Sequence, residues 1–169
     1  KKSVVFIGSE SAPFIATGGL ADVMGSLPKA IASNGNYEVS CIIPMYSAIK
    51  KEYRDKFEFI TSFNVNLAWR SQYCGVFKYD YEGVHYYFID NEYYFAREGK
   101  IYGHYDDGER FGFFSKAALD TIATLQIYPD VIHCNDWQTA PAIIYLKGMY
   151  YSDPLFQRIK TVFTIHNIE

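Results

Sequence analysis

The sequence has no run of about 18 apolar residues, the length a helix needs to cross a bilayer, so no membrane-spanning helix is expected. Its first residues, Lys1 to Gly8, hold too short an apolar stretch for a secretory signal. Lys and Arg are nowhere concentrated, and 16 of them stand against 19 Asp and Glu for a net charge of −3. A surface that neutralises nucleic-acid phosphates is excluded on that ground. Cysteine is scarce: Cys41, Cys74 and Cys134 are odd in number, far apart and without a C-x-x-C pair. That argues against a disulfide framework or a zinc knuckle and for reduced thiols in a cytoplasmic protein. A G-x-G-x-x-G fingerprint and a P-loop are both missing, and Gly8-Ser9-Glu10-Ser11-Ala12 lacks the G-x-S-x-G elbow. Repeats, low-complexity tracts and linkers are missing too. What is present is 169 residues, 49% apolar and 21% charged, enough for one globular unit with its own core.

The apolar pattern places the elements. Val4–Ile7 and Val39–Ile43 read as short buried strands. Between them Leu20, Val23, Met24, Leu27 and Ile31 fall on one face of a helix, which Pro28 should kink and Asn34-Gly35 should end. From Phe57 to Leu67, and again from Tyr73 to Tyr81, apolar residues alternate with polar ones, and Glu82-Gly83 turns the chain into Val84–Ile89. This predicts antiparallel strands with a hairpin. Residues 92–106 read as a loop too rich in tyrosine for core alone, with rings able to stack on sugars. Asp107 can cap a helix carrying Phe111, Phe114, Ala118, Ile122 and Leu125 on one face. Then come a strand at Val131–Cys134, a helix at Ala140–Tyr150 and a strand at Val162–Ile165. Strand–helix alternation at both ends predicts a parallel α/β sheet flanked by helices, with an antiparallel hairpin region inserted. The chain begins without Met and ends just after an apolar strand, and the expectation is a piece of a longer protein.

Ligands of such sheets bind beyond the carboxyl ends of the strands. Three segments leave strands there. Thr17-Gly18-Gly19-Leu20-Ala21-Asp22 either forms a plain tight turn before a helix, with Asp22 complementing its dipole, or gives a ligand close access to the backbone. His133-Cys134-Asn135-Asp136-Trp137-Gln138 either caps and packs a helix start or hydrogen-bonds a polyol. His166-Asn167 is either a surface pair or a third arm of the same site. His133 and Cys134 point to opposite sheet faces and do not make the three or four convergent ligands a metal needs, so no metal is expected.

These residues resemble a known family. Ser9-Glu10, Pro13-Phe14, Thr17 to Val23 and Leu27-Pro28 are similar to the opening of bacterial glycogen synthases and plant starch synthases. His133-x-Asn-Asp-Trp137-Gln138 is similar to their second signature, and Phe163-Thr164-Ile165-His166-Asn167-Ile168 to their third. The resemblance implies the N-terminal, acceptor-side Rossmann-like domain (residues 1–169, incomplete at its C-terminus) of a two-domain glycosyltransferase-B fold. It implies retaining transfer of glucose from ADP-glucose to the non-reducing end of an α-1,4-glucan, with no cofactor and no metal. His166 and Asp136 would be catalytic. Gly18, Gly19, Asp22, Tyr102 and Asn167 would bind substrate. The partners would be ADP-glucose, an α-1,4-glucan or maltooligosaccharide, and a C-terminal domain of the same chain, without which the piece would be inactive. Where the family commonly carries Lys before Thr-Gly-Gly-Leu, this sequence has Ala16. That departure means either that another cation is supplied by the second domain, the preferred reading, or that activity or donor preference differs. The alternatives kept beside the synthase are a glucan-binding or regulatory module of the same fold and a transferase using another sugar-nucleotide.

Overall fold

The computed structural model describes residues 1–166. In chain order the elements are β1 (Lys2–Ile7), α1 (Gly19–Ser33), β2 (Tyr37–Pro44), α2 (Lys51–Arg54), β3 (Glu58–Asn66), β4 (Ser71–Tyr81) and β5 (Val84–Asp90). After them come α3 (Glu92–Phe95), α4 (Asp107–Leu125), β6 (Val131–Asn135), a 3-10 turn at Trp137–Thr139, α5 (Ala140–Lys147), α6 (Pro154–Gln157) and β7 (Lys160–Thr164).

One sheet runs in the order β3-β4-β5-β2-β1-β6-β7. The five strands from β5 to β7 are parallel, while β3, β4 and β5 form an antiparallel meander. The sheet is therefore of the expected class, with one refinement. β5 belongs to both parts, antiparallel to β4 through the Glu82-Gly83 turn and parallel to β2 from Ser40↔His85 to Pro44↔Ile89. The apolar runs in β1 and β2 are continuous because helices cover both faces of central parallel strands. Val5, Phe6, Ile7, Cys41, Ile42 and Ile43 are all at most 2% exposed. At the β3 edge a one-residue irregularity between Phe59 and Thr61 moves the alternation to the other face. Phe59 is accordingly exposed while Val65 is buried.

Several local expectations shift. The buried stripe of α1 is Leu20, Ala21, Met24 and Pro28, whereas Leu27 turns outward, and the helix continues through Pro28 to Ser33. Within 92–106 a helical turn, α3, buries Tyr94 and Phe95 while Tyr93 and Tyr105 stay exposed. Asp107 is the first residue of α4 rather than its cap. Its carboxylate reaches back to accept the N–H groups of Gly103 (2.8 Å) and His104 (3.1 Å) and pairs with Arg110 at 2.8 Å. The fully buried Arg110 also donates to the carbonyls of Tyr94 (2.9 Å) and Ile101 (3.0 Å), so two residues fix the loop that carries Tyr102.

The loop after β1 is held by Phe14, whose ring meets Tyr53, Tyr86 and Phe88 edge-on at centroid distances of 5.3, 4.9 and 5.2 Å. Burying one such side chain contributes about 1.5–3 kcal/mol. Among the described residues no helix is long and apolar enough to cross a membrane. All three cysteines are buried and unpaired, and burial pushes each thiol up, that of Cys134 to about 12.

Candidate functional site

In the sheet, β1 is the strand where the order reverses: β2 lies on one side of it and β6 on the other. Crevices at such a reversal, beyond the carboxyl ends, are where α/β sheets hold ligands. Here the chain after β1 and the chain after β6 diverge around a cleft of about 880 Å³. One wall carries Glu10, Thr17, Gly18, Gly19 and Tyr102, and the other Asp136, Trp137, Gln138, Phe163 and Ile165.

Asp136 is the geometric centre of the second wall. It sits at φ 62°, ψ 176°, a region that glycine tolerates and a residue with a Cβ does not without strain. The bonds around it hold it there. Its N–H donates to the Thr164 carbonyl at 2.9 Å, its carbonyl accepts from Thr139 N–H at 3.1 Å, and its carboxylate accepts the His166 N–H at 2.6 Å. The expected helix-capping bond from the Asp136 side chain is not made. The strained backbone instead turns the carboxylate across to the end of β7.

His166 is thus fixed twice. Its Nε2 lies 2.9 Å from Asn135 Oδ1, and the Asn135 amide nitrogen donates to the carbonyls of His133 (3.2 Å) and Ile7 (3.4 Å). With the amide oriented so, Nε2 of a neutral His166 carries the proton, leaving Nδ1 and the main-chain carbonyl for other partners. Beside it, His133 donates to or accepts from Thr164 Oγ1 at 2.7 Å, and burial, then the nearby His166, hold its pKa below the ordinary value.

The first wall is built on Glu10, which is 3% exposed. It accepts from Thr17 N–H at 2.5 Å, from Thr17 Oγ1 at 2.9 and 3.0 Å, and from the Tyr102 hydroxyl at 3.0 Å. Burial and the charge of Glu10 push the Tyr102 phenol upward, so it stays a donor. Gly18 and Gly19 answer the tight-turn reading. Neither has a positive φ, and a Cβ added to either would meet nothing within 4 Å. Their small size serves no packing within the described residues. Gly25 shows the contrast, since a Cβ there would lie 2.9 Å from the Ala12 carbonyl oxygen.

The structure therefore gathers Gly18, Gly19, Tyr102 and Asp136 on one cleft, with His166 bonded to Asp136. Asp22 is exposed on the first turn of α1 and does not line the cleft. Asn167 lies outside the described residues. Three groups escaped the site as read from sequence: Asn135, which orients His166; Glu10; and Gln138, 6% exposed with its Oε1 buried and unpartnered. All three stand within the quoted motifs, but nothing in a linear sequence tells which polar side chains turn inward. Among the described residues no three His, Cys, Asp or Glu side chains converge as metal ligands would.

Residues 3–169 match the family described as starch synthase catalytic domain. The chain belongs to this family. Glycogen synthase of Clostridium botulinum (strain Eklund 17B / Type B) is 53% identical over 166 residues, covering 98% of this chain and 34% of that protein. Glycogen synthase of Exiguobacterium sibiricum is 52% identical over 168 residues, 98% of this chain and 35% of the other. Among solved structures, the catalytic domain of starch synthase IV from Arabidopsis thaliana, bound to ADP and acarbose, superposes with a TM-score of 0.86 at 31% identity, covering 98% of this chain and 34% of that one. The chain thus spans about a third of the length of these synthases.

Proposed function

We propose that this chain forms the acceptor-side wall of an ADP-glucose-dependent glucan synthase. In the reaction, the bond from glucose C1 to the terminal phosphate oxygen of ADP breaks, that oxygen keeps the electron pair, and C1 bonds to the 4-hydroxyl oxygen of an α-1,4-glucan with its configuration retained, the hydroxyl proton passing to the leaving phosphate. The observation that carries this reading is the meeting of Gly18, Gly19, Asp136 and His166 at the β1/β6 reversal in a chain of the starch synthase family.

The lining supports a role toward sugar rather than phosphate. It offers the Asp136 carboxylate and the half-exposed face of Trp137, which suit hydroxyl donors and a sugar ring. Among the described residues that line it, none is Lys or Arg. Asp136 would hold glucose hydroxyls, with Asn167 beside it, and fix the ring for attack. His166 would face the anomeric carbon, where its Nδ1 or main-chain carbonyl stabilises developing positive charge. Gly18 and Gly19 would let the donor approach the backbone closely, with Asp22 near the domain boundary. A second, C-terminal domain supplies the cation that Ala16 does not, so the isolated chain turns over nothing. A cytoplasmic setting fits three buried, unpaired thiols.

The test is glucose transfer by the full-length protein, given ADP-glucose and UDP-glucose separately with a short maltooligosaccharide. Extension with ADP-glucose supports the reading, and extension with UDP-glucose alone overturns the donor. Binding of the oligosaccharide without transfer favours a degenerate glucan-binding module, for which the substituted lysine position is the one observation. In an active parent, His166→Ala lowers turnover by several powers of ten. A loss below tenfold, about 1.4 kcal/mol, rejects the transition-state role.

A further inference from the structure

Glu10 is a buried carboxylate that pairs with no cation among the described residues. Buried charges are ordinarily paired, so this one needs another account. Its partners supply one. An ionised carboxylate only accepts, which fixes the direction of every bond it makes: Thr17 gives it both an N–H and a hydroxyl, and Tyr102 gives its phenol proton. Having donated to Glu10, the Tyr102 oxygen accepts from the Ser9 hydroxyl at 2.5 Å. Thr17 and Tyr102 lie 7 and 92 residues beyond Glu10, and no direct hydrogen bond joins them. One side chain therefore ties together two segments that the sheet alone does not.

The segment at Thr17 needs the tie. From Ala16 to Gly19 the chain is exposed, and the outward side of the glycines meets nothing. Backbone bonds hold its flanks, Ser11 to Ile15 and Ala12 to Ala21, and the bonds from Thr17 to Glu10 fasten the arm itself to the end of β1. We infer that Glu10 is a positioning residue for the transfer reaction, holding the Gly18-Gly19 arm and the Tyr102 hydroxyl in one fixed relation before the donor arrives. This rests on the glucan-synthase reading. A carboxylate suits the task because it accepts from both segments at once, whereas an amide has a single acceptor atom and turns N–H groups toward donors.

The experiment is a double-mutant cycle on kcat/KM for ADP-glucose in the full-length protein. Thr17→Val and Tyr102→Phe are made singly and together, first with Glu10 and then with Glu10→Gln, and thermal unfolding confirms that each variant folds. With Glu10 present, the double variant departs at least fivefold from the product of the two single effects, because both act through one carboxylate. In the Glu10→Gln background the two effects multiply within twofold. A merely structural Glu10 would lower folding stability without coupling two residues that do not touch. Multiplicative effects with Glu10 present, in an active parent, overturn the inference and leave the synthase reading intact. A parent inert with every donor overturns both. Should Glu10→Gln fail to fold, the cycle with Glu10 present decides alone.

Discussion

Asp136 offers a sharp separation of folding from function, because its backbone and its side chain pull stability in opposite directions. At φ 62°, ψ 176° a residue bearing a Cβ carries about 1–3 kcal/mol of strain. Its carboxylate bond to the His166 N–H, 2.6 Å long and charge-assisted, contributes about 1.5–3 kcal/mol. Asp136→Ala loses the bond and keeps the strain. Asp136→Gly loses the same bond but relieves the strain, at a cost of about 0.4–1 kcal/mol from the freer unfolded chain. The lost bond cancels between the two variants, so at the midpoints of these ranges the glycine protein is the more stable by about 1.3 kcal/mol. Equilibrium unfolding in urea, with equal slopes required of both variants, reads the gap directly. Activity in the full-length protein moves otherwise. If the carboxylate holds the donor sugar, alanine and glycine variants are equally impaired although one is clearly better folded. An alanine variant as stable as the glycine variant would refute the strain argument, and a glycine variant with near-normal turnover would remove Asp136 from the chemistry.

Gly19→Ala places a methyl group in open space at the first residue of α1, so folding stability should hold or rise by about 0.4–1 kcal/mol while kcat/KM for the donor in the full-length protein falls at least tenfold. A loss of stability, seen by thermal unfolding, would return the glycines to a turn-forming role. Arg110→Ala leaves the Asp107 carboxylate without its cation and the carbonyls of Tyr94 and Ile101 without its guanidinium in a buried setting, and denaturant unfolding should show a loss of about 3–5 kcal/mol. His133 has its pKa depressed in the fold, so its contribution is complete above the unfolded value near 6.5 and is lost as pH falls through the lower folded value. Unfolding between pH 7.5 and 5 should show a decline that His133→Gln reduces, and an unchanged slope would reject it.

The parts of the fold legible in the sequence were those set by continuous apolar runs. The apolar runs place β1, β2 and β6 within a few residues, because a buried parallel strand leaves little else that such a run can be, and they place β7 equally well although it is an exposed edge strand. The double role of β5 was not legible. Its apolar run fits an antiparallel hairpin and a parallel neighbour equally, and only the pairing of Ser40 with His85 onward decides. The bulge at Ile60 escaped because alternation in Phe57, Phe59, Phe63 and Val65 is unbroken in sequence while the backbone changes face beneath it. Leu27 was misassigned for a related reason. Helical spacing gives a stripe about two residues wide, and its buried side in the fold runs through Leu20, Ala21, Met24 and Pro28 rather than through Leu27.

The site divides along the same physical line. Glycines at a helix start, and polar residues at the ends of apolar runs, mark where a ligand can sit, and all of these were readable. The bonds that orient them were not, since Asn135 to His166 and Glu10 to Tyr102 join residues 31 and 92 positions apart. Ala16 shows what the combination adds. From sequence it is one missing lysine, replaceable by any cation nearby. In the folded chain no Lys or Arg is among the described residues lining the cleft, and two carboxylates are. A diphosphate brought against that wall would meet negative charge without compensation, whereas sugar hydroxyls would find an acceptor in Asp136. On the proposed synthase reading, the cation that stabilises the leaving group would approach from across the cleft, and catalysis by this wall would depend on a second one.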